Sequence, residues 1–213
     1  MTLEGTNSYV VGSGPAYVID PGPEDAGHVA ALRDEAERRG GMGGILLTHS
    51  HGDHSAAVPM LDAPVLEQGP FEVVPTPGHA EDHVCFVDGR VCFTGDLVLG
   101  EGSTFVPPDG GSLTAYLDSL RRIAELDLEL MCPGHGPWIT DPAAKVREYI
   151  DHRLDRERKL VGALEAGERS RARLLDAAWD DVPDELRGAA AVVMQAHLEK
   201  LDAEGRLPGD LRD

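Results

Sequence analysis

The sequence predicts a mixed α+β fold that ends in a helical tail. Two observations carry this. Short apolar runs punctuated by Gly, Pro and Asp alternate with amphipathic stretches up to about residue 132, and the rest of the chain reads as helix. A third observation bears on function: four of the strand-like runs lead directly into a loop bearing His or Asp. At 213 residues there is room for one domain of ordinary size plus an appendage, with a core that needs no disulfides.

Taken in order, Ser8 to Val11 and Ala16 to Ile19 are short strands joined by Gly12-Ser13-Gly14-Pro15, which is hairpin punctuation. Asp20-Pro21-Gly22-Pro23 closes the second strand. A helix is expected over Ala26 to Arg39, stopped by Gly40-Gly41, and the next strand is Gly44 to Leu47. A short helix at Ala56 to Met60 and brief strands at Pro64 to Leu66 and Phe71 to Val74 follow. Val84 to Val87 and Val91 to Phe93 form a hairpin about Asp88-Gly89. Ser112 caps a helix running to Leu126, and Leu130 to Cys132 is the last strand.

Beyond Gly44 to Leu47 lies Thr48-His49-Ser50-His51-Gly52-Asp53-His54. Three imidazoles and a carboxylate so close together cannot be core, and a metal is their natural shared partner. In an extended segment His49 and His51 point the same way, and a turn at Gly52 throws Asp53 and His54 towards a second position. A surface histidine cluster is the plain alternative. His79 in Thr76-Pro77-Gly78-His79, Asp96 in Thr94-Gly95-Asp96 and His135 in Pro133-Gly134-His135-Gly136 each follow a strand in the same way. Sites cluster at one edge of a sheet because the scaffold is rigid and the loops beyond it converge, so the four segments are expected to form one site.

Charge and composition narrow the function. Residues 1–141 carry 22 acidic and 6 basic side chains, and residues 142–213 carry 16 and 13. So acidic a body gives a polyanion nothing to track, and ten aromatics make no evident base-stacking platform, so nucleic acid is unsupported as a partner. No run of eighteen apolar residues and no signal peptide is readable, so no membrane span is expected and the default location is cytoplasmic. Cys85, Cys92 and Cys132 lie in apolar runs and read as buried free thiols. Nothing in the sequence sets the oligomeric state.

The set His49-x-His51-x-Asp53-His54, His79, Asp96 and His135 resembles the metallo-β-lactamase superfamily, and the likeness spans nearly all of residues 2–141. The resemblance implies an αββα sandwich with a dinuclear site at the sheet edges. By the same likeness His49, His51 and His79 would hold one metal, Asp53, His54 and His135 a second, and Asp96 both. Leu3-Glu4-Gly5-Thr6-Asn7, Leu99-Gly100-Glu101-Gly102-Ser103-Thr104 and Pro133-Gly134-His135-Gly136-Pro137 resemble the branch containing β-lactamase-like protein 2. That branch includes endoribonucleases and is similar to thioesterases of polyketide assembly lines. Its small winged-helix-like tail corresponds to residues 142–213, read as helices Ala143 to Glu165, Arg171 to Ala178 and Asp184 to Ala203. The expected division is therefore a catalytic domain at 1–141 and a helical winged-helix-like domain at 142–213. Two departures stand out: an N-terminal edge strand usual for the family is expected to be missing, through truncation or a misplaced start, and the His54 to His79 interval is short for the branch.

The implied cofactor is Zn2+, two per chain, although ligand type alone leaves iron or manganese open. Two such ions roughly 3.5 to 4 Å apart share a water and lower its pKa from about 15.7 towards 7, giving a bridging hydroxide for hydrolysis. The favoured reading is a metal-dependent hydrolase of a small ester, thioester or lactone, with Asp53 and Asp96 central to the chemistry. Cleavage of single-stranded RNA is the alternative enzyme, and a metal-stabilised binding protein without activity is the third reading. His83 is a further candidate, to protonate a leaving group or to orient a ligand from behind, against a surface histidine with no role. Glu101, Ser103 and Thr104 are candidates to face substrate, with an ordinary turn as the alternative. His28, His152 and His197 read as solvated or packed helix histidines, and Trp138 as core. Leu174, Leu175, Ala178 and Trp179 read as the tail's packing stripe, and Arg147 to Lys159 as a solvent-facing helix with Asp155–Lys159 pair support.

Overall fold

The computed structural model describes residues 5–211, so Leu3 and Glu4 of the N-terminal motif lie outside the described residues. Strands β1 (Tyr9–Val11) and β2 (Ala16–Ile19) pair antiparallel, as the hairpin punctuation predicts. Helix α1 (Ala26–Arg38) crosses back so that β3 (Met42–Leu46) joins β2 in parallel. Asp25 starts that helix by accepting the His28 N–H at 2.7 Å. After the short helix α2 (Gly52–Ser55), a second sheet is built in the order β4 (Glu72–Pro75), β5 (Val84–Asp88), β6 (Val91–Gly95), β7 (Leu130–Pro133). Its first two pairings are antiparallel, and α3 (Leu113–Ala124) provides the crossover for the parallel β6–β7 pair.

Period-two alternation sorts each strand's side chains between two layers. Ile19 and Leu46 of the first sheet pack on Phe86, Phe93 and Cys132 of the second, so the inner faces meet. Their neighbours point outward: Val18 and Ile45 lie under Val29 and Leu32 of α1, while Cys85, Cys92 and Met131 lie under Tyr116, Leu117 and Leu120 of α3. The layers therefore run α, β, β, α. Cys85, Cys92 and Cys132 are buried free thiols, one on each of β5, β6 and β7.

The same register gathers the site. Pro75 at the end of β4 faces Val84 at the start of β5, Gly95 at the end of β6 faces Pro133 of β7, and Ile19 of β2 faces Leu46 of β3. The loops carrying Asp20, residues 48–54, His79, Asp96 and His135 thus leave from strand ends that lie side by side. Gly78 makes the His79 turn close-fitting, because a Cβ there would meet the Tyr116 backbone at 2.4 Å.

The tail is α4 (Pro142–Glu165), α5 (Arg171–Ala178) and α6 (Arg187–Ala203), with no strand among its described residues. Val146 and Tyr149 of α4 pack into the core around α3, and its later Leu160 and Leu164 join Leu174, Leu175, Ala178 and Trp179 in a second core, as the stripe predicts. Four expectations need correction. The helix placed at Ala56 to Met60 starts earlier, at Gly52, and a single 3-10 turn covers Val58–Met60. Pro64 to Leu66 is no strand but a one-residue bridge from Val65 to Ile45. Trp138 is 62% exposed: its neighbour Ile139 bridges to Met131 of β7 and is buried, and alternation turns Trp138 to the opposite side. Arg147 to Lys159 is not wholly solvent-facing: Arg153, Arg156 and Glu157 are buried where α4 lies between neighbours, although Asp155 and Lys159 do pair at 3.7 Å. No helix among the described residues is long and apolar enough to cross a membrane.

Candidate metal centre

All seven histidines and aspartates singled out at the strand ends come together. Three overlapping groups could each hold a cation, His49 with His51 and His79, Asp53 with His54 and His135, and His49 with His54 and Asp96 joining the first two, with the ligand atoms of each group within 4.8 Å of one another. In the first group His51 Nδ1 lies 3.0 Å from both His49 Nε2 and His79 Nε2. Asp96 stands between the groups. Its Oδ2 is 3.6 Å from His79 Nε2, while its Oδ1 is 3.4 Å from His54 Nε2 and 3.3 Å from His135 Nε2. Asp53 Oδ2 closes the second group at 3.4 Å from His135 Nε2.

The far nitrogen of each buried ring is engaged elsewhere, which fixes the direction in which the near one points. His54 Nδ1–H donates to Asp20 Oδ2 at 2.9 Å, His79 Nδ1–H to the Phe105 carbonyl at 2.6 Å, and His135 Nδ1–H to the Gly5 carbonyl at 2.8 Å. Thr48 donates its hydroxyl to Asp20, leaving Thr48 Oγ1 to accept from His49 Nδ1 at 3.1 Å. With the proton drawn to Nδ1, the Nε2 lone pair of each neutral ring is turned inward. Lone pairs converging at this separation repel unless a proton or a cation lies between them. The spacing suits a cation, because bonds of about 2.0–2.1 Å in a tetrahedral site put ligand atoms about 3.3 Å apart. His54 Nε2 and Asp96 Oδ1 are also buried without a hydrogen-bond partner, as atoms reserved for a ligand would be. The donor set of imidazole and carboxylate fits divalent ions of intermediate softness.

The electrostatics divide the cluster. Burial pulls His54 down, but its contacts with Asp20 and Asp96 outweigh this and lift it to about 9. Burial likewise opposes His135, yet Asp53 and Asp96 raise it to about 10. Burial lowers His49 and His79, reinforced for His49 by the neighbouring rings. Burial works against the Asp96 carboxylate, and the facing His135 and His54 hold it far below the usual range. Asp53 is lowered chiefly by His135.

Asp20 is the site residue that sequence reasoning passes over. It is 2% exposed at φ 50, and it accepts from the Thr48 N–H, the Thr48 hydroxyl and His54. Its only signal is an acid at a strand end before Pro-Gly, which reads equally as a turn. We expect Asp20→Asn to weaken metal binding by roughly 10- to 100-fold, the usual cost of losing a group that orients a ligand. Calorimetric metal titration of the stripped variant checks this, and an unchanged affinity would remove Asp20 from the site.

His83 is buried behind the cluster, where its Nε2 accepts the Asp96 N–H at 3.1 Å and its Nδ1 donates to Thr76 Oγ1 at 2.8 Å. Both nitrogens are committed, which suits orienting Asp96 and leaves no proton to deliver to a substrate. Thr104 turns inward to the Leu97 carbonyl, whereas Glu101 and Ser103 are exposed. His28 bonds Ser8, His152 lies beside Arg156, and His197 is packed against Trp179, all away from the cluster.

The family comparisons agree with this architecture. A model of the metallo-beta-lactamase superfamily matches residues 1–64 and 60–135, and a beta-lactamase associated winged helix domain matches residues 172–207. The lactamase-like protein adaB of Aspergillus niger is 36% identical over 98% of this chain and 78% of its own. The chain belongs to the metallo-beta-lactamase superfamily. The two pieces of the superfamily match meet at residues 60–64, within the His54 to His79 interval. Other superfamily relatives include the beta-lactamase-like protein 2 homolog of Drosophila melanogaster, 31% identical over 97% of this chain and 85% of its own. An atrochrysone carboxyl ACP thioesterase of Aspergillus fumigatus is 34% identical over 100% of this chain and 72% of its own. Among solved structures, a metallo-beta-lactamase family protein of Thermus thermophilus superposes with a TM-score of 0.71 at 22% identity, over 94% of this chain and 89% of that one. TTHA1623, solved in a di-iron-bound form, gives a TM-score of 0.55 at 30% identity, over 65% of this chain and 91% of that one.

Proposed function

We propose that the chain is a dinuclear metal-dependent hydrolase of a small ester, thioester or lactone, with zinc as the metal. The observation that carries this is Asp96, whose two oxygens face different ligand groups. In this reading His49, His51 and His79 hold one ion, Asp53, His54 and His135 the other, and Asp96 both. Two such ions would supply an activated water and polarise the substrate oxygen that gains charge. The chain's own residues do the rest. Asp20, Phe105, Gly5 and Thr48 keep the imidazoles turned inward, and His83 holds the Asp96 backbone so that the carboxylate stays between the groups. Asp53 is the cluster's more exposed carboxylate, with a side chain 33% exposed against 12% for Asp96, and is placed to pass a proton out to solvent.

The choice of acyl over phosphoryl substrates is supported by charge and by the thioesterase names among the relatives. The tail's bases offer little to RNA, since Arg156, Arg158, Lys159, Arg169, Arg187, Lys200 and Arg206 are paired with carboxylates. Assaying the zinc-loaded chain against chromogenic thioesters and esters beside single-stranded RNA tests the assignment. Acyl hydrolysis without RNA cleavage is expected. RNA cleavage with no acyl turnover would reverse the reading.

A further inference from the structure

The partner of His79 differs from those of the other rings. Asp20, Thr48 and Gly5 flank the strands or the N-terminal motif, but Phe105 lies in the long loop between β6 and α3, which has no regular structure of its own. The helices hold that loop. Tyr116 of α3 donates to the Leu97 carbonyl at 2.7 Å. The Tyr149 hydroxyl of α4 accepts the Leu99 N–H at 3.1 Å and lies 3.1 Å from the Gly102 carbonyl. One turn further along α4, the Arg153 guanidinium donates to the carbonyl of Thr104, the residue before Phe105.

Arg153 is 3% exposed, and its guanidinium lies 5.4 Å over the Tyr116 ring. It rests on a carbonyl and a ring rather than on a carboxylate, and its Nε is buried without a partner. A buried cation so poorly compensated is a costly way to join two helices, and an apolar side chain would serve packing better. What it does achieve is to fix one peptide, and that peptide leads directly into the carbonyl that orients His79.

We infer that Arg153, assisted by Tyr149, is a positioning residue for His79: α4 reaches across from the tail, pins the loop at Thr104, and so sets the Phe105 carbonyl that holds the imidazole. The inference rests on the proposed role of His79 as a metal ligand. It predicts an asymmetric effect, because His79 belongs to the group with His49 and His51 and makes no contact with Asp53 or His135 of the other.

The test is a cobalt(II) titration of the chelator-stripped full chain by calorimetry and visible absorption, for the wild type, Arg153→Met, Arg153→Lys and Tyr149→Phe. It is paired with NMR of the metal-loaded, 15N-histidine-labelled protein that follows solvent exchange of the His79 Nδ1 proton. In the wild type two binding events are expected. Arg153→Met weakens one of them by roughly 10- to 100-fold, leaves the other unchanged, and speeds exchange at His79 but not at His54 or His135. Arg153→Lys, which keeps a donor, recovers part of the loss, and Tyr149→Phe gives a smaller loss of the same kind. If Arg153→Met does not fold, the other two variants carry the same readouts. A lowered melting temperature with both affinities and the His79 exchange unchanged would make Arg153 a structural tie only and overturn the inference. A wild-type chain that takes up no cobalt fails differently, removing the metal reading itself and this inference with it.

Discussion

Asp96→Ala is expected to lower acyl hydrolysis by the metal-loaded chain at least about 100- to 1,000-fold, the scale seen when one group aimed at the reacting centre is lost. The reason is geometric. Asp96 is the residue whose two oxygens serve both groups, one 3.6 Å from His79 Nε2 and the other 3.3 Å from His135 Nε2. Its removal also leaves His54 and His135 facing each other without the carboxylate they share, which adds to Asp20 in raising His54 and to Asp53 in raising His135. Metal content is therefore expected to fall together with activity. Steady-state kinetics on a chromogenic thioester, with metal analysis of the same sample, checks this. Full activity in the variant would mean that the chemistry does not pass through this carboxylate.

The second large effect is the exchange of protons for metal. His54 at about 9 and His135 at about 10 each carry a proton at pH 7 when no metal is bound, and a ligating imidazole must give it up. Metal uptake by the stripped chain near pH 7 should release about two protons per chain from these rings, and apparent affinity should climb as pH rises towards 9. Stability carries the same sign. A group raised in the folded state stabilises fully below its unfolded value of about 6.5, and that contribution is lost as pH rises through the folded value. His49 and His79, lowered by burial, act oppositely and cost stability as pH falls below about 6.5. The metal-free chain should accordingly melt highest near pH 6.5 and lower at pH 9, whereas the metal-loaded chain should keep its stability at pH 9. Proton release measured in a weakly buffered titration, with melts at both values, tests this. No proton release on metal uptake would contradict it.

The cluster was legible in the sequence because chemistry and punctuation coincide there. Each of His49, His79, Asp96 and His135 follows a short apolar run within a few residues, and for the last three a Gly beside it marks the loop. The four-layer order was expected from the family resemblance alone, because β5 reads Val-Cys-Phe-Val and carries no polar alternation to show that Cys85 faces outward and Phe86 inward. What escaped has a common cause. Asp20 and Arg153 act through atoms distant in the chain, and their local sequences look like a turn and a solvated helix face. Periodicity shows which face of α4 is apolar, but not that a long charged side chain would be drawn into a loop across the interface. Trp138 misled in the opposite sense, since an aromatic next to a strand end usually packs inward.

The central claim is that two groups of ligands meet at one carboxylate and hold a pair of divalent ions. Metal analysis of the purified chain after zinc loading and removal of free metal tests it most directly. The account predicts about two zinc ions per chain, falling to one or none in Asp96→Ala. A wild-type ratio near zero, or a ratio unchanged by that substitution, would contradict it.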